Sequence, residues 1–219
     1  MSNLPFARFA FLIAAGVLIL SGCASNTDKS DDHDKAAAYT DPDSGVVFPK
    51  HAGALERDSL TIDDTGKNPL RAHYESAEQV DIPADRTALM KSDLRFFLNV
   101  DISVIKSSTA NPDQLLSQTI RSLQTHPNFV QTDYPGLSKF GNLQAICAQC
   151  TFDRPEWKDR ATLKIVIIPR GNYLICFTVM SGQTQADQWQ AEIDNFIQTI
   201  VTRSEKNPVI MGSGSGSGD

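Results

Sequence analysis

The clearest pattern in the chain is an alternation over Phe96–Ser107. Phe96, Leu98, Val100, Ile102 and Val104 fall on one face, and Phe97, Asn99, Asp101, Ser103 and Ile105 on the other. A period of two predicts a strand, and the first, wholly apolar set is its core face. Leu55–Ile62 and Leu70–Glu75 read as a hairpin around Asp63-Asp64-Thr65-Gly66-Lys67-Asn68, where Gly66 tolerates positive φ. Ile82-Pro83 speaks against a central strand in Asp81–Arg95. The period then lengthens. Asn111 caps a helix, Pro112 fits its first turn, Gln114 can reach back to the cap, and His126-Pro127 ends it. Leu115, Leu116, Thr119, Ile120 and Leu123 make its buried stripe.

Four further strands are predicted at Phe129–Asp133, Leu143–Phe152, Ala161–Ile168 and Asn172–Met180. Pro169-Arg170-Gly171 between the last two suits a type I turn followed by a glycine bulge. A final helix opens at Thr184 and Asp187 and carries Ala186, Trp189, Ile193, Phe196, Ile197 and Ile200 through Val201. Hairpin, strand, helix, meander and helix together predict an α+β fold. Its antiparallel sheet has about six or seven strands and is covered by helices, within a domain at 45–207.

This order resembles the PsbP-like fold, an α/β/α sandwich that also includes DcrB-type bacterial envelope proteins. The likeness rests on Phe48-Pro49 ahead of Ala52-Gly53-Ala54-Leu55-Glu56-Arg57, on Tyr74, and on the 112–126 helix. Gly171-Asn172-Tyr173 running into Phe177, and the closing helix with Phe196 and Ile200, complete it. The resemblance implies an accessory or binding role without a shared catalytic constellation.

The N-terminus has a different character. Met1–Arg8 holds one basic side chain, and Phe9–Leu20 is a predominantly apolar run of twelve. That is shorter than the roughly 20 residues a membrane span needs, but it has the length of a signal-peptide core. Leu20-Ser21-Gly22-Cys23 follows directly and resembles the lipobox of bacterial lipoproteins. The resemblance implies that residues 1–22 are removed and that Cys23 is lipidated. Ala24 after the cysteine then implies the outer membrane, with the domain facing the periplasm. Ala24–Ser44 holds six Asp against two Lys and shows no hydrophobic period, so 23–44 is expected to be the lipidated cysteine and a disordered acidic tether. The four consecutive residues Asp31, Asp32, His33 and Asp34 are a solvated stretch of it before they are a metal sink. Gly and Ser alternate over Gly212–Gly218, and 208–219 is expected to be a disordered tail.

Composition sharpens this. Of 219 residues, 41% are hydrophobic and 21% charged, which excludes a wholly disordered chain. A net charge of −6 argues against nucleic acid as a partner. Cys147-Ala148-Gln149-Cys150 has thiol–disulfide spacing, but its flanks alternate like a strand, in which residues three apart face opposite sides. Three readings stay open for Cys147, Cys150 and Cys176: packed thiols, a disulfide between two of them, or a redox centre. The histidines His33, His51, His73 and His126 are scattered without zinc-site spacing, and no metal or other cofactor is expected. Asp153–Arg160 reads as a charged connection presenting Trp157 among Arg154, Lys158 and Arg160, a candidate partner contact. No nucleophile elbow, phosphate loop or dinucleotide fingerprint is present in the sequence. The expectation is therefore a non-enzymatic envelope lipoprotein, anchored to the membrane through its lipid and serving another envelope component. The alternatives are a thiol redox protein using Cys147 and Cys150, or a carrier of a small apolar ligand.

Overall fold

A computed structural model describes residues 37–62, 69–76, 98–106, 111–155, 159–182 and 186–207. The signal, Cys23, the Asp63–Asn68 turn, Trp157, Lys158 and the 208–219 tail lie outside the described residues. The described strands are β1 (Ala38–Thr40), β2 (Val47–Pro49), β3 (His51–Ala52), β4 (Leu55–Thr61), β5 (Leu70–Ser76) and β6 (Leu98–Lys106). Helix α1 (Pro112–Gln124) follows, then β7 (Phe129–Phe140), β8 (Leu143–Arg154), β9 (Asp159–Arg170), β10 (Tyr173–Gly182) and helix α2 (Ala186–Glu205).

Strands β3 to β10 form one eight-stranded antiparallel sheet in the order β3-β4-β5-β6-β10-β9-β8-β7. Two meanders meet where β6 pairs β10, and α1 carries the chain from the middle of the sheet to its far edge. The eight strands exceed the expected six or seven. A separate two-stranded ribbon of β1 and β2 adds to them. The extra strands have two or three residues each, too short for alternation to register.

The alternation of β6 is borne out, with Leu98, Val100, Ile102 and Val104 all buried. They face α2, whose Ile193, Phe196, Ile197, Ile200 and Val201 complete the larger core. The opposite face of β8, β9 and β10 packs against Leu116, Ile120 and Leu123 of α1 in a second core. The helices therefore cover opposite faces of the sheet. Asn111 caps α1 as expected, its side chain accepting the Asp113 N–H at 2.9 Å.

Three boundaries differ from the sequence reading. The fold begins before residue 45: Ala38–Thr40 pairs with Val47–Pro49, and Ser44 is fully buried beside Asp41, whose carboxylate accepts its backbone N–H at 2.9 Å. Strand β7 runs through Pro135-Gly136 because it is an edge strand. A register shift between Asp133 and Gly136, with Gly136 at φ 90°, absorbs both residues there. Finally, β9 and β10 join through a two-residue Gly171-Asn172 turn with Gly171 at φ 56°, and Pro169 lies inside β9 opposite Leu174. The last β8 partner of β9 is at Ile167, so Pro169 sits past the point where that strand needs a donor.

Helix α2 also outruns its expected end at Val201. Ser204 is buried, donates to the Ile200 carbonyl at 2.6 Å and accepts the Val47 N–H at 3.0 Å. Arg170 of β9 donates to the carbonyls of Ser204 (2.6 Å) and Asn207, which satisfies acceptors at the negative end of the helix dipole.

Candidate functional site

The described polar groups that converge most closely lie on the sheet face opposite α2, over β4, β5 and β6. Helix α1 packs mainly over β7, β8 and β9 of that same face. Residues two apart on a strand share a face, so Arg71, His73 and Glu75 of β5 project together. Strand β6 places Asp101 directly opposite His73. On β4 the register shifts between Arg57 and Ser59, so Asp58 is the unpaired, bulged residue. Arg57 and Leu60 stay in the core while Asp58 and Ser59 are both exposed. The bulge thus turns Asp58 towards the His73 face without removing its neighbours from the interior.

His73 sits between two carboxylates, with Nδ1 at 2.8 Å from Asp101 Oδ1 and Nε2 at 3.2 Å from Glu75 Oε1. The hydrogen bond to Asp101 is the largest cause raising its pKa, the charges of Asp101 and Glu75 add to it, and partial burial opposes them. The result is about 9, so the ring is an imidazolium at neutral pH and both nitrogens donate. Arg71 also feels the Asp101 charge, while burial holds its own pKa down. The sequence reading left His73 as a scattered histidine. Two cues were present, His73-Tyr74-Glu75 at same-face spacing on a strand and an Asp on the polar side of β6; the pairing that joins them was not.

The cysteines are placed differently. Cys147 lies opposite Gly136 and Val166 and belongs to the α2-side core. Cys150 lies opposite Thr132 and Leu163 and belongs to the α1-side core. The two face opposite sides of a paired strand, and all three described cysteines are free thiols. Cys176 shares the α1 side with Cys150 but is on β10, two strands away. Sheet spacing alone puts them about 10 Å apart, beyond the roughly 7 Å between Cα atoms that a disulfide allows. Burial raises all three thiol pKa values, that of Cys176 to about 12, so none is a ready thiolate. Iodoacetamide at pH 7.5 should therefore leave all three thiols unmodified on the native protein and label all three once it is unfolded. Fast labelling of Cys147 or Cys150 in the native state, read by peptide mass spectrometry, would contradict this placement.

The charged connection is shorter than its sequence reading. Strand β8 extends to Arg154 and β9 begins at Asp159, so 155–158 alone connect them. Arg154, expected as a surface contact, is only 4% exposed, because the strand continues through it and turns its side chain inward. Arg160 is exposed, and its Nε donates to Asp153 across the strand pair at 2.9 Å.

No protein-family profile matches the chain, and no curated protein sequence matches it. Several solved structures are similar in fold. The protein of unknown function PA94 from Pseudomonas aeruginosa is 15% identical, with a TM-score of 0.42 over 67% of this chain and 96% of that one. LpqN, involved in cell envelope biogenesis of Mycobacterium tuberculosis, is 14% identical, with a TM-score of 0.38 over 67% and 82%. Cyanobacterial PsbP from Synechocystis is 7% identical, with a TM-score of 0.40 over 84% and 97%. Likenesses of this size identify neither a family nor an activity.

Proposed function

We propose that the protein is a lipid-anchored, non-enzymatic binding module of the bacterial envelope, held at the outer membrane with its domain in the periplasm. The observation that carries this reading is Leu20-Ser21-Gly22-Cys23 placed directly after an apolar run too short to span a bilayer. With Cys23 lipidated, residues 24–37 would separate the lipid from β1. Even fully extended, a stretch of that length reaches about 50 Å, so the domain would work in a thin shell beside the membrane. Several acyl chains, at about 0.8 kcal/mol per buried methylene, would make that attachment durable. The buried thiols on opposite sheet faces support a binding role over thiol redox. The partner would be another envelope component. Arg160 and its outlying neighbours Trp157 and Lys158 are the contact candidates, whereas buried Arg154 is not.

Expression of the full chain in a Gram-negative host, followed by membrane fractionation and mass spectrometry of the N-terminal peptide, tests the anchor. The expected result is a mature chain that begins at an acylated Cys23 and pellets with outer membranes, while Cys23→Ser releases it. An unacylated wild-type chain, or a Cys23→Ser chain that pellets equally, would overturn the reading. Periplasmic cross-linking with Trp157→Ala, Arg160→Ala then tests the contact, since undiminished partner yield would remove that loop.

A further inference from the structure

The cluster on β4, β5 and β6 has a composition that ion pairing alone does not require. Asp58, His73 and Glu75 each offer one ligand atom, and these atoms lie within 4.8 Å of one another. Tetrahedral coordination with bonds of about 2.0–2.1 Å puts ligand atoms about 3.4 Å apart. His73 Nε2 and Glu75 Oε1 already stand 3.2 Å apart. Asp58 is exposed at its bulge and can close the remaining gap by rotation about its own side chain.

The second nitrogen of His73 adds the decisive geometry. Nδ1 is held at 2.8 Å by Asp101 Oδ1, which leaves Nε2 as the nitrogen turned towards Glu75. Metal-bound histidines almost always donate their other ring N–H to a carboxylate or carbonyl, fixing ring orientation and tautomer. Here that carboxylate comes from a different strand than any of the three candidate ligands, and Arg71 lies beside it to share its charge. We infer that Asp58, His73 and Glu75 bind a divalent transition-metal ion of zinc type, with Asp101 as the outer partner that orients His73. One imidazole and two carboxylates form a nitrogen/oxygen ligand set suited to such an ion. Asp58 and Glu75 are exposed, so a fourth position would open to solvent and could accept a water or a donor group from a bound partner. Binding would exchange the Nε2 proton for the metal while Nδ1–H stays on Asp101. No residue of the lipid anchor takes part, so the inference stands apart from the membrane reading.

The test is Zn²⁺ titration of chelator-stripped full-length protein by calorimetry, with Co²⁺ absorption to report coordination geometry. One Zn²⁺ per chain should bind with micromolar or tighter affinity, and Co²⁺ should give the intense visible bands of a tetrahedral site. Asp101→Asn should weaken binding about 10–100-fold, and His73→Gln should weaken it further. His33→Ala should leave it unchanged, which separates this site from the acidic Asp31-Asp32-His33-Asp34 stretch. Proton NMR of the wild-type His73 ring during the titration serves where a variant fails to fold: a Zn²⁺-dependent shift of that ring, saturating at one equivalent, is expected. Absence of stoichiometric binding to the wild type would overturn the inference. So would unchanged affinity in folded His73→Gln, loss of affinity in His33→Ala alone, or a His73 ring that ignores zinc.

Discussion

Replacing Phe196 by alanine is expected to lower the free energy of unfolding by about 3–5 kcal/mol. Phe196 is 1% exposed and lies on the face of α2 that closes the larger core. Its ring meets Tyr74 of β5 edge to face, with centroids 4.9 Å apart and planes at 71°, a geometry worth about 0.5–1.5 kcal/mol beyond area burial. The cavity could not collapse easily. Tyr74 is held by its own hydroxyl, which donates to the Pro49 carbonyl at 2.8 Å, and the neighbouring floor is sheet backbone. For a domain of this size each kcal/mol moves the midpoint about 2–4 °C, so the melting temperature should fall by roughly 6–20 °C. Leu137→Ser, at a position 71% exposed on edge strand β7, should change stability by no more than about 0.5 kcal/mol. Urea unfolding of the two variants side by side is the measurement. A Phe196→Ala loss below about 1 kcal/mol would mean that α2 does not close the core as described.

What the sequence disclosed follows the range of its signals. Strand β6 was legible because one face is wholly apolar while the other carries Asn99, Asp101 and Ser103, and both helices because their stripes are long. The opposition of Cys147 and Cys150 was legible too, since a period of two sets residues three apart on opposite faces. The β1–β2 ribbon was not, because strands of three residues are too short to show a period, and β1 follows an acidic, Ala-rich stretch. The strand expected at Phe129–Asp133 fell short of Phe140 for a different reason, since Pro135-Gly136 follows it. Both residues break a central strand, yet an edge strand tolerates them in a bulge, and edge position is a property of the finished sheet. The His73 cluster was hidden in the same way, because Asp58, His73 and Asp101 become neighbours only through the β4–β5–β6 pairing. Arg154 was misread as a surface contact because charge ordinarily signals exposure.

Arg57→Met should cost about 2–4 kcal/mol and should loosen the N-terminal ribbon before the rest of the domain. Arg57 is fully buried on β4, where it pairs with Tyr74 of β5. Its Nη1 donates to the Phe48 carbonyl, and the hydroxyl of cross-strand Tyr74 donates to the next carbonyl, that of Pro49. Lys50 Nζ donates back to the Arg57 carbonyl at 2.6 Å, and the Arg57 N–H donates to the Lys50 carbonyl at 2.7 Å. β2 takes no part in the main sheet, so these bonds fasten the ribbon to β4 and β5, with Phe48 as the apolar plug beneath them. Exchanging a buried ion for a hydrophobe can be neutral when its polar partners leave as well. In this network they stay: methionine fills much of the volume but removes the charged donor from the Phe48 carbonyl, a hydrogen bond worth about 1.5–3 kcal/mol in itself. Tyr74→Phe, which removes one hydroxyl, should cost about 1 kcal/mol, and the double variant should fall short of the sum because both residues serve one network. Hydrogen exchange gives the sharper reading. Amides of β1 and β2 in Arg57→Met should lose protection while those of β6 and β10 keep theirs until global unfolding. Unchanged exchange in the ribbon would mean that the Phe48 plug and the remaining bonds to Lys50 and Ser204 hold it without the guanidinium, and uniform loss across the sheet would mean that Arg57 supports the whole core rather than its N-terminal clasp.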